Sequence, residues 1–333
     1  MAGKVLKKFA RWSILGGTIF FLVATFKQRW QEVAAISLGP TQFRWGALSL
    51  AITGIAHLWS GWVWGWILTF FDCQVRRGWL LRVYLQTNLA KYVPGNIWHF
   101  YGRIEAVRAL GNPLGTATLS VLLEPLLMAA AAAFLAGLTS QISRQYVALQ
   151  VVIPLVVLAG VHPSVLDPVL QFLNRSKTKT HSQNPTGTSI APVDAVDAVD
   201  VADVADVADA TQTGAGAPVT LQRYPWLPLC GELGFVLLRS LGFVAAIAGF
   251  VPLTPTLLVT LIGAFSCAWF LGLIVPTPGG LGVFEATASV LLDGFISPGI
   301  LLGALAIFRL LSIAAEAVTA GVAWSLARRE RAA

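Results

Sequence analysis

Charge is what this sequence has least of. Charged side chains make up 12% of its 333 residues, against about 25% in soluble domains. With a mean hydropathy of +0.71, that shortage excludes an ordinary soluble protein and places the chain in the membrane class. Cysteine is nearly absent as well. Cys73, Cys230 and Cys267 are odd in number and widely separated, so they supply neither a disulfide framework nor a zinc site, and read as small core residues. The four histidines, His57, His99, His162 and His181, lack the spacing of metal ligands. No glycine-rich phosphate loop, dinucleotide fingerprint, Ser-His-Asp arrangement or HExxH helix occurs. The expectation is therefore a protein with no cofactor and no metal. A nucleic-acid partner is not expected either, because the basic residues lie at the ends of apolar runs, where membrane topology accounts for them.

Long apolar runs are what the sequence does have. Hydrophobic residues make up 56% of the chain, and a helical span needs roughly 20 of them in succession. Seven runs qualify as candidates: 12–26, 45–70, 114–138, 147–161, 226–251, 256–275 and 300–326. The first is short and needs Arg11 and Lys27 to reach for the headgroups. A removable signal peptide would also place Lys4, Lys7, Lys8 and Arg11 before an apolar stretch, with a cut near Val33-Ala34-Ala35. Lys27, Arg29 and Glu32 make that an unusual cleavage region, so an uncleaved helix is the better reading. The fold class is all-α: a polytopic helical membrane protein with about seven to eight spans, forming a single domain over residues 1–333.

One segment stands apart. Residues 193–210 read "VDAVDAVDVADVADVADA", with aspartate at 194, 197, 200, 203, 206 and 209. A period of three suits neither helix nor strand burial, and Ala, Val and Asp alone build no core. Together with its polar flanks, 176–219 reads as a disordered acidic loop. It lacks the glycines and ligand geometry of calcium-binding repeats. Removing its six aspartates from the formal charge of +7 leaves +13 on the rest of the chain.

That basic excess orients the protein. Lys and Arg favour the cytoplasmic side, so Lys4, Lys7, Lys8 and Arg11 put the N-terminus inside. Two crossings later Arg76, Arg77, Arg82, Lys91, Arg103 and Arg108 are inside, and two more keep Arg175, Lys177, Lys179 and Arg223 there. Arg328, Arg329 and Arg331 favour the same side, which seven spans do not allow; a short eighth crossing over 285–296 would. The side of the C-terminus stays open at this level. The expected location is the plasma (inner) membrane, multi-pass.

Two of the apolar runs are interrupted by proline and glycine. Residues 91–103 read "KYVPGNIWHFYGR" and residues 276–286 read "PTPGGLGVFEA". Backbone can break at membrane depth only where it is buried in protein or lines a wet cavity. Pro276 and Pro278 end the preceding helix, and Gly279, Gly280 and Gly282 allow tight turning and close approach to a ligand. A half-helix starting at Val283 would present free N–H groups, which attract anions. Pro94, Gly95 and Asn96 would do the same at the first break, where Lys91 and Arg103 add positive charge. Both segments read as broken, re-entrant elements suited to a phosphate headgroup.

Offsetting the chain against itself by 184 or 185 places Pro94-Gly95 on Pro278-Gly279, Glu124 on Arg309, and "AAAFLAG" ending at Gly137 on "AEAVTAG" ending at Gly321. This suggests an internal duplication, each half being a helix pair, a break, a short helix and a long helix with a buried charge. Corresponding broken segments in repeated halves are a pointer to a transporter binding site.

Five charges fall inside spans: Glu124, Glu232, Arg239, Arg309 and Glu316. Each costs at least about 2.5–3.5 kcal/mol at mid-membrane and is a functional candidate. Glu232 and Arg239, and likewise Arg309 and Glu316, are seven residues apart. Each pair then shares a helix face about 10 Å apart, too far for a direct bridge. Partners must come from other helices or a ligand; Glu124 with Arg309 or Arg239 is one such pairing. Trp59, Trp62 and Trp66 form a stripe that reads as an interfacial anchor.

The two break motifs resemble the paired signatures of flippase-like integral membrane proteins related to the transmembrane region of lysylphosphatidylglycerol synthase. The similarity runs from about residue 45 to 326, the acidic loop excepted. It implies movement of an aminoacylated phospholipid or a polyprenyl-linked lipid between leaflets. It carries headgroup binding onto Lys91, Pro94, Gly95, Asn96, Arg103, Pro278, Gly279, Gly280, Gly282 and Glu285. The soluble aminoacyl-transfer domain of the full synthases is not expected here, and with it the expectation is that the chain is not an enzyme. The leading expectation is a lipid flippase or scramblase whose partners are membrane lipids. The alternatives are a membrane-embedded lipid or glycosyl transferase using Glu124 or Glu285 as a base, and a non-catalytic partner of a lipid synthase or glycosyltransferase.

Overall fold

The computed structural model describes residues 39–92, 98–139, 147–168, 221, 223–275 and 282–332. Among these, the regular structure is helical throughout, with no strand. In chain order the elements are α1 (Pro40–Phe70), α2 (Arg77–Asn88), a 3-10 turn (Leu89–Tyr92), α3 (Trp98–Arg108), α4 (Leu114–Thr139), α5 (Val147–Gly160), α6 (Trp226–Ala248), α7 (Pro255–Ile274), α8 (Val283–Leu291) and α9 (Pro298–Ala332).

Proline and glycine set several of these boundaries. Helices α1, α7 and α9 each begin on a proline, where the missing N–H would have had no intrahelical partner anyway. Thr254 caps α7 by accepting the Leu257 N–H at 3.2 Å. That helix ends at Ile274, two residues short of Pro276. Helix α8 starts after Gly282, whose φ of 82° lies in the left-handed region that glycine adopts freely.

Among the described residues four helices are long and apolar enough to cross a membrane: Leu114–Thr139, Trp226–Ala248, Pro255–Ile274 and Pro298–Ser325. They mark a membrane-embedded protein, and they correspond to four of the seven candidate runs. Run 12–26 lies outside the described residues. Run 45–70 falls within α1, which is 31 residues long, but Trp, Gly, Ser, Thr and His dilute its hydropathy. Run 147–161 falls on α5, of which 14 residues are described. The expected short crossing over 285–296 is not one helix. Helix α8 has nine residues and stops at Leu291, covering about 13 Å at the α-helical rise.

Helix α6 packs most extensively on α1, α7 lies along α4, and α9 lies against α1 and α2. Lipid tails are as apolar as leucine, so close packing and interhelical hydrogen bonds hold such helices together. Gly231 shows both at the α1–α6 crossing. A Cβ there would come within 2.7 Å of Val63, and the bare carbonyl accepts Trp59 Nε1 at 2.8 Å. The tryptophan stripe is thereby divided. Trp59 joins α1 to α6 and meets Trp66 edge-on at 5.5 Å, while Trp62 is exposed. Phe243, Phe265, Phe284 and Phe308, from α6, α7, α8 and α9, meet at centroid distances of 5.3–6.4 Å. This cluster packs the short α8 against three longer helices. Of the cysteines, which are all free, Cys73 is buried but Cys230 is exposed, so the core reading does not hold for it.

Candidate functional site

Pro94, Gly95, Asn96, Pro278, Gly279 and Gly280 lie outside the described residues. Their flanks are described, and each flank carries charge. Lys91 stands on the 3-10 turn leading into the first break and Arg103 on α3 beyond it. Gly282 and Glu285 open α8 after the second.

Arg103 points into the interior and is 2% exposed. Its Nη1 donates to Glu124 Oε2 on α4 at 2.6 Å, and its Nε donates to Thr87 Oγ1 at 3.3 Å. The other Glu124 oxygen accepts from Tyr84 Oη, also at 2.6 Å. With that hydrogen committed, the Tyr84 oxygen accepts from Ser60 Oγ at 2.6 Å. The guanidinium lies 3.9 Å from the Tyr84 ring centroid and 5.7 Å from that of Trp64, a cation–π arrangement. Both carboxylate oxygens are thus satisfied and the pair is enclosed by rings, which is what a buried ion pair requires to persist.

A second interior pair joins the first break to α9. Lys91 Nζ donates to Glu316 Oε1 at 2.7 Å, and His57 Nε2 on α1 lies 3.2 Å from the same oxygen. Glu316 Oε2 is buried with no hydrogen-bond partner among the described residues. Nearby on α6, Arg239 Nη2 donates to Ser312 Oγ at 3.3 Å, and its guanidinium sits 5.2 Å from the centroids of Trp269 and Phe308. Glu232, two turns earlier on α6, is fully buried, and neither of its oxygens has a hydrogen-bond partner among the described residues. The charges that act on it are Glu124 and Arg103. The two interior pairs therefore belong to one electrostatic neighbourhood, which Lys91, Arg103 and Glu316 also share around His99.

The second break has its own pair. Glu285 Oε2 accepts the Gly282 N–H at 2.7 Å, closing over the start of α8. Its Oε1 accepts from Arg309 Nε at 2.6 Å and lies 2.5 Å from Nη2. A carboxylate at a helix N-terminus is stabilised by the free amides and the helix dipole. The expected anion-attracting end of α8 is real as geometry, and a side chain of the same helix occupies it.

The expected partnership of Glu124 with Arg309 or Arg239 does not form. Glu124 takes Arg103, and Arg309 takes Glu285. A parallel emerges between the two segments. In each, the short helix after the break pairs with the long helix that follows, with the signs reversed: Arg103 to Glu124, and Glu285 to Arg309. His57, Ser60, Tyr84, Thr87 and Ser312 were not singled out in sequence. His57, Ser60 and Ser312 were legible as polar residues inside apolar runs, whereas Tyr84 and Thr87 carried no such signal. Among the described residues no cluster of His, Cys, Asp and Glu could hold a metal ion.

No protein-family model matches the chain, and no curated protein matches it. Its class rests on fold and site: among the described residues, an all-helical, membrane-embedded protein whose interior holds paired charges.

Proposed function

We propose that this protein moves a polar-headed lipid, a phospholipid or a polyprenyl-linked lipid, between the two leaflets as a flippase or scramblase. One observation carries the reading: Arg103, Glu124, Glu232, Arg239 and Glu316 are buried inside a bundle built on helices long and apolar enough to cross a membrane, and the half-buried Lys91 reaches in to pair with Glu316. An apolar interior would be far less costly, since each charge at mid-membrane costs at least about 2.5–3.5 kcal/mol. A polar interior beside lipid suits a headgroup that travels inside while its tails remain in the bilayer. The reversed-sign pairs after the two breaks support an internal duplication, and with it a site at the interface of the halves. The likeness of the break motifs to the flippase-like family points the same way. In this reading the headgroup meets Lys91, Pro94, Gly95 and Asn96 on one side and Pro278, Gly279, Gly280, Gly282 and Glu285 on the other, while Arg103, paired with Glu124, braces the interior. The chain crosses the plasma membrane seven or eight times from a cytoplasmic N-terminus.

The test is leaflet exchange of a fluorescent phospholipid in vesicles containing the purified protein. Wild type should exchange lipid well above empty vesicles, and Lys91→Met should lower the rate by about tenfold or more, the scale of one lost charge contact at a buried site. Exchange in wild-type vesicles no faster than in empty ones rejects the function.

A further inference from the structure

We infer that Lys91 and Arg309 are two phosphate stations, each held in the structure by a carboxylate standing where the phosphate would sit. This rests on the proposed passage of a phosphate-bearing headgroup, and adds which cations receive it and which side chains must let go.

Accessibility separates the three inner ion pairs. Arg103 and Glu124 are 3% and 4% exposed at the side chain, with both carboxylate oxygens hydrogen-bonded and the guanidinium walled by rings; that pair is a sealed brace. Lys91 and Arg309 are 24% and 29% exposed, and Glu285 is 12% exposed, so a ligand can reach these cations. Carboxylate and phosphate oxygens are interchangeable acceptors for Lys and Arg. Glu285 bridges the Gly282 N–H and Arg309, and an amide at a helix start beside a guanidinium is the setting in which proteins bind phosphate. Glu316 holds Lys91 through one oxygen while its other oxygen has no hydrogen bond among the described residues, so that carboxylate is incompletely anchored.

Position supports the same assignment. Arg309 and Glu316 lie seven residues apart on one face of α9, about 10 Å along its axis. They fall on either side of the middle of the apolar stretch Pro298–Ser325. A phosphate moving along α9 would leave one cation as it meets the next, and would not cross the hydrocarbon without a countercharge. At each station one anion replaces another, so the cation is never left bare. The freed carboxylate faces the hydroxyl or amine donors of the headgroup.

Binding of dihexanoyl phosphatidylglycerol and of inorganic phosphate to the full-length purified protein, measured by calorimetry, tests the assignment. Glu316→Gln and Glu285→Gln remove the internal competitor and should tighten phospholipid binding by about tenfold, because more of the protein is then binding-competent. Lys91→Met and Arg309→Met should weaken it by a similar factor, and Glu105→Gln, in an exposed surface pair, should leave it unchanged. If Glu316→Gln fails to fold, Glu285→Gln poses the same question at the other station. Unchanged or weaker binding in the glutamine variants overturns the stations, even if vesicles exchange lipid normally. The same pattern seen with inorganic phosphate but not with the phospholipid upholds the stations for free phosphate and rejects the lipid reading instead.

Discussion

Arg103 and Glu232 represent two opposite fates of a charged residue inside an apolar bundle. Arg103 has a carboxylate, a hydroxyl and two aromatic faces around it. Removing one partner of such a pair leaves the other charged and buried, which typically costs 3–5 kcal/mol. Glu232 has no hydrogen bond to lose among the described residues, and replacing an unsatisfied buried polar group by an apolar one of similar shape is neutral or stabilising. Arg103→Ala should therefore lower stability by about 3–5 kcal/mol, while Glu232→Met should raise it by about 1–3 kcal/mol. Thermal unfolding in detergent reads both. A destabilised Glu232→Met would mean that the carboxyl makes a bond that the described residues do not contain. Glu232 was legible as a charge interrupting an apolar run, and Arg103 from its place beside the first break. Their partners were not: Lys91 and Glu316 are 225 positions apart, and no local pattern relates them.

At the scale of elements, helix ends were the most readable feature and crossings the least. Pro40, Pro255 and Pro298 open helices and Gly282 permits the turn before α8, all through backbone chemistry local to a few residues. Whether an apolar run qualifies as a span depends on its final length and on what dilutes it, and among the described residues four helices meet both conditions while α8 is too short. The α1–α6 crossing depends on a residue with no side chain. Gly231→Ala would push a methyl group to within 2.7 Å of Val63 and 2.8 Å of Trp66. It should destabilise by about 1–3 kcal/mol, the usual effect of overpacking. Trp59 fluorescence should shift as its bond to the Gly231 carbonyl loosens. Unaltered stability and emission would show that the crossing has slack.

For the whole molecule, orientation follows from the distribution of Lys and Arg. Arg76 and Arg77, before and at the start of α2, and Arg223, before α6, are exposed and separated by an even number of expected crossings. Single cysteines at Arg77 and Arg223, in a background with the three native cysteines changed to serine, should both react with a membrane-impermeant thiol reagent from the cytoplasmic side alone. Labelling from opposite sides would remove a crossing from the first half and with it the parallel between the halves. The acidic segment 176–219 lies outside the described residues.

By itself the sequence determined that the protein is helical and membrane-embedded, where several helices begin and end, and that charges interrupt several of its apolar runs. Those properties depend on solvation and on backbone preferences, which act between near neighbours in the chain. Only the tertiary structure decided that Glu124 is satisfied by Arg103 and Tyr84, that Glu285 folds back over its own helix to reach Arg309, and that Lys91 rests on Glu316. Those pairings depend on how helices cross, and side chains more than two hundred residues apart come within 3 Å only after packing has fixed the crossings.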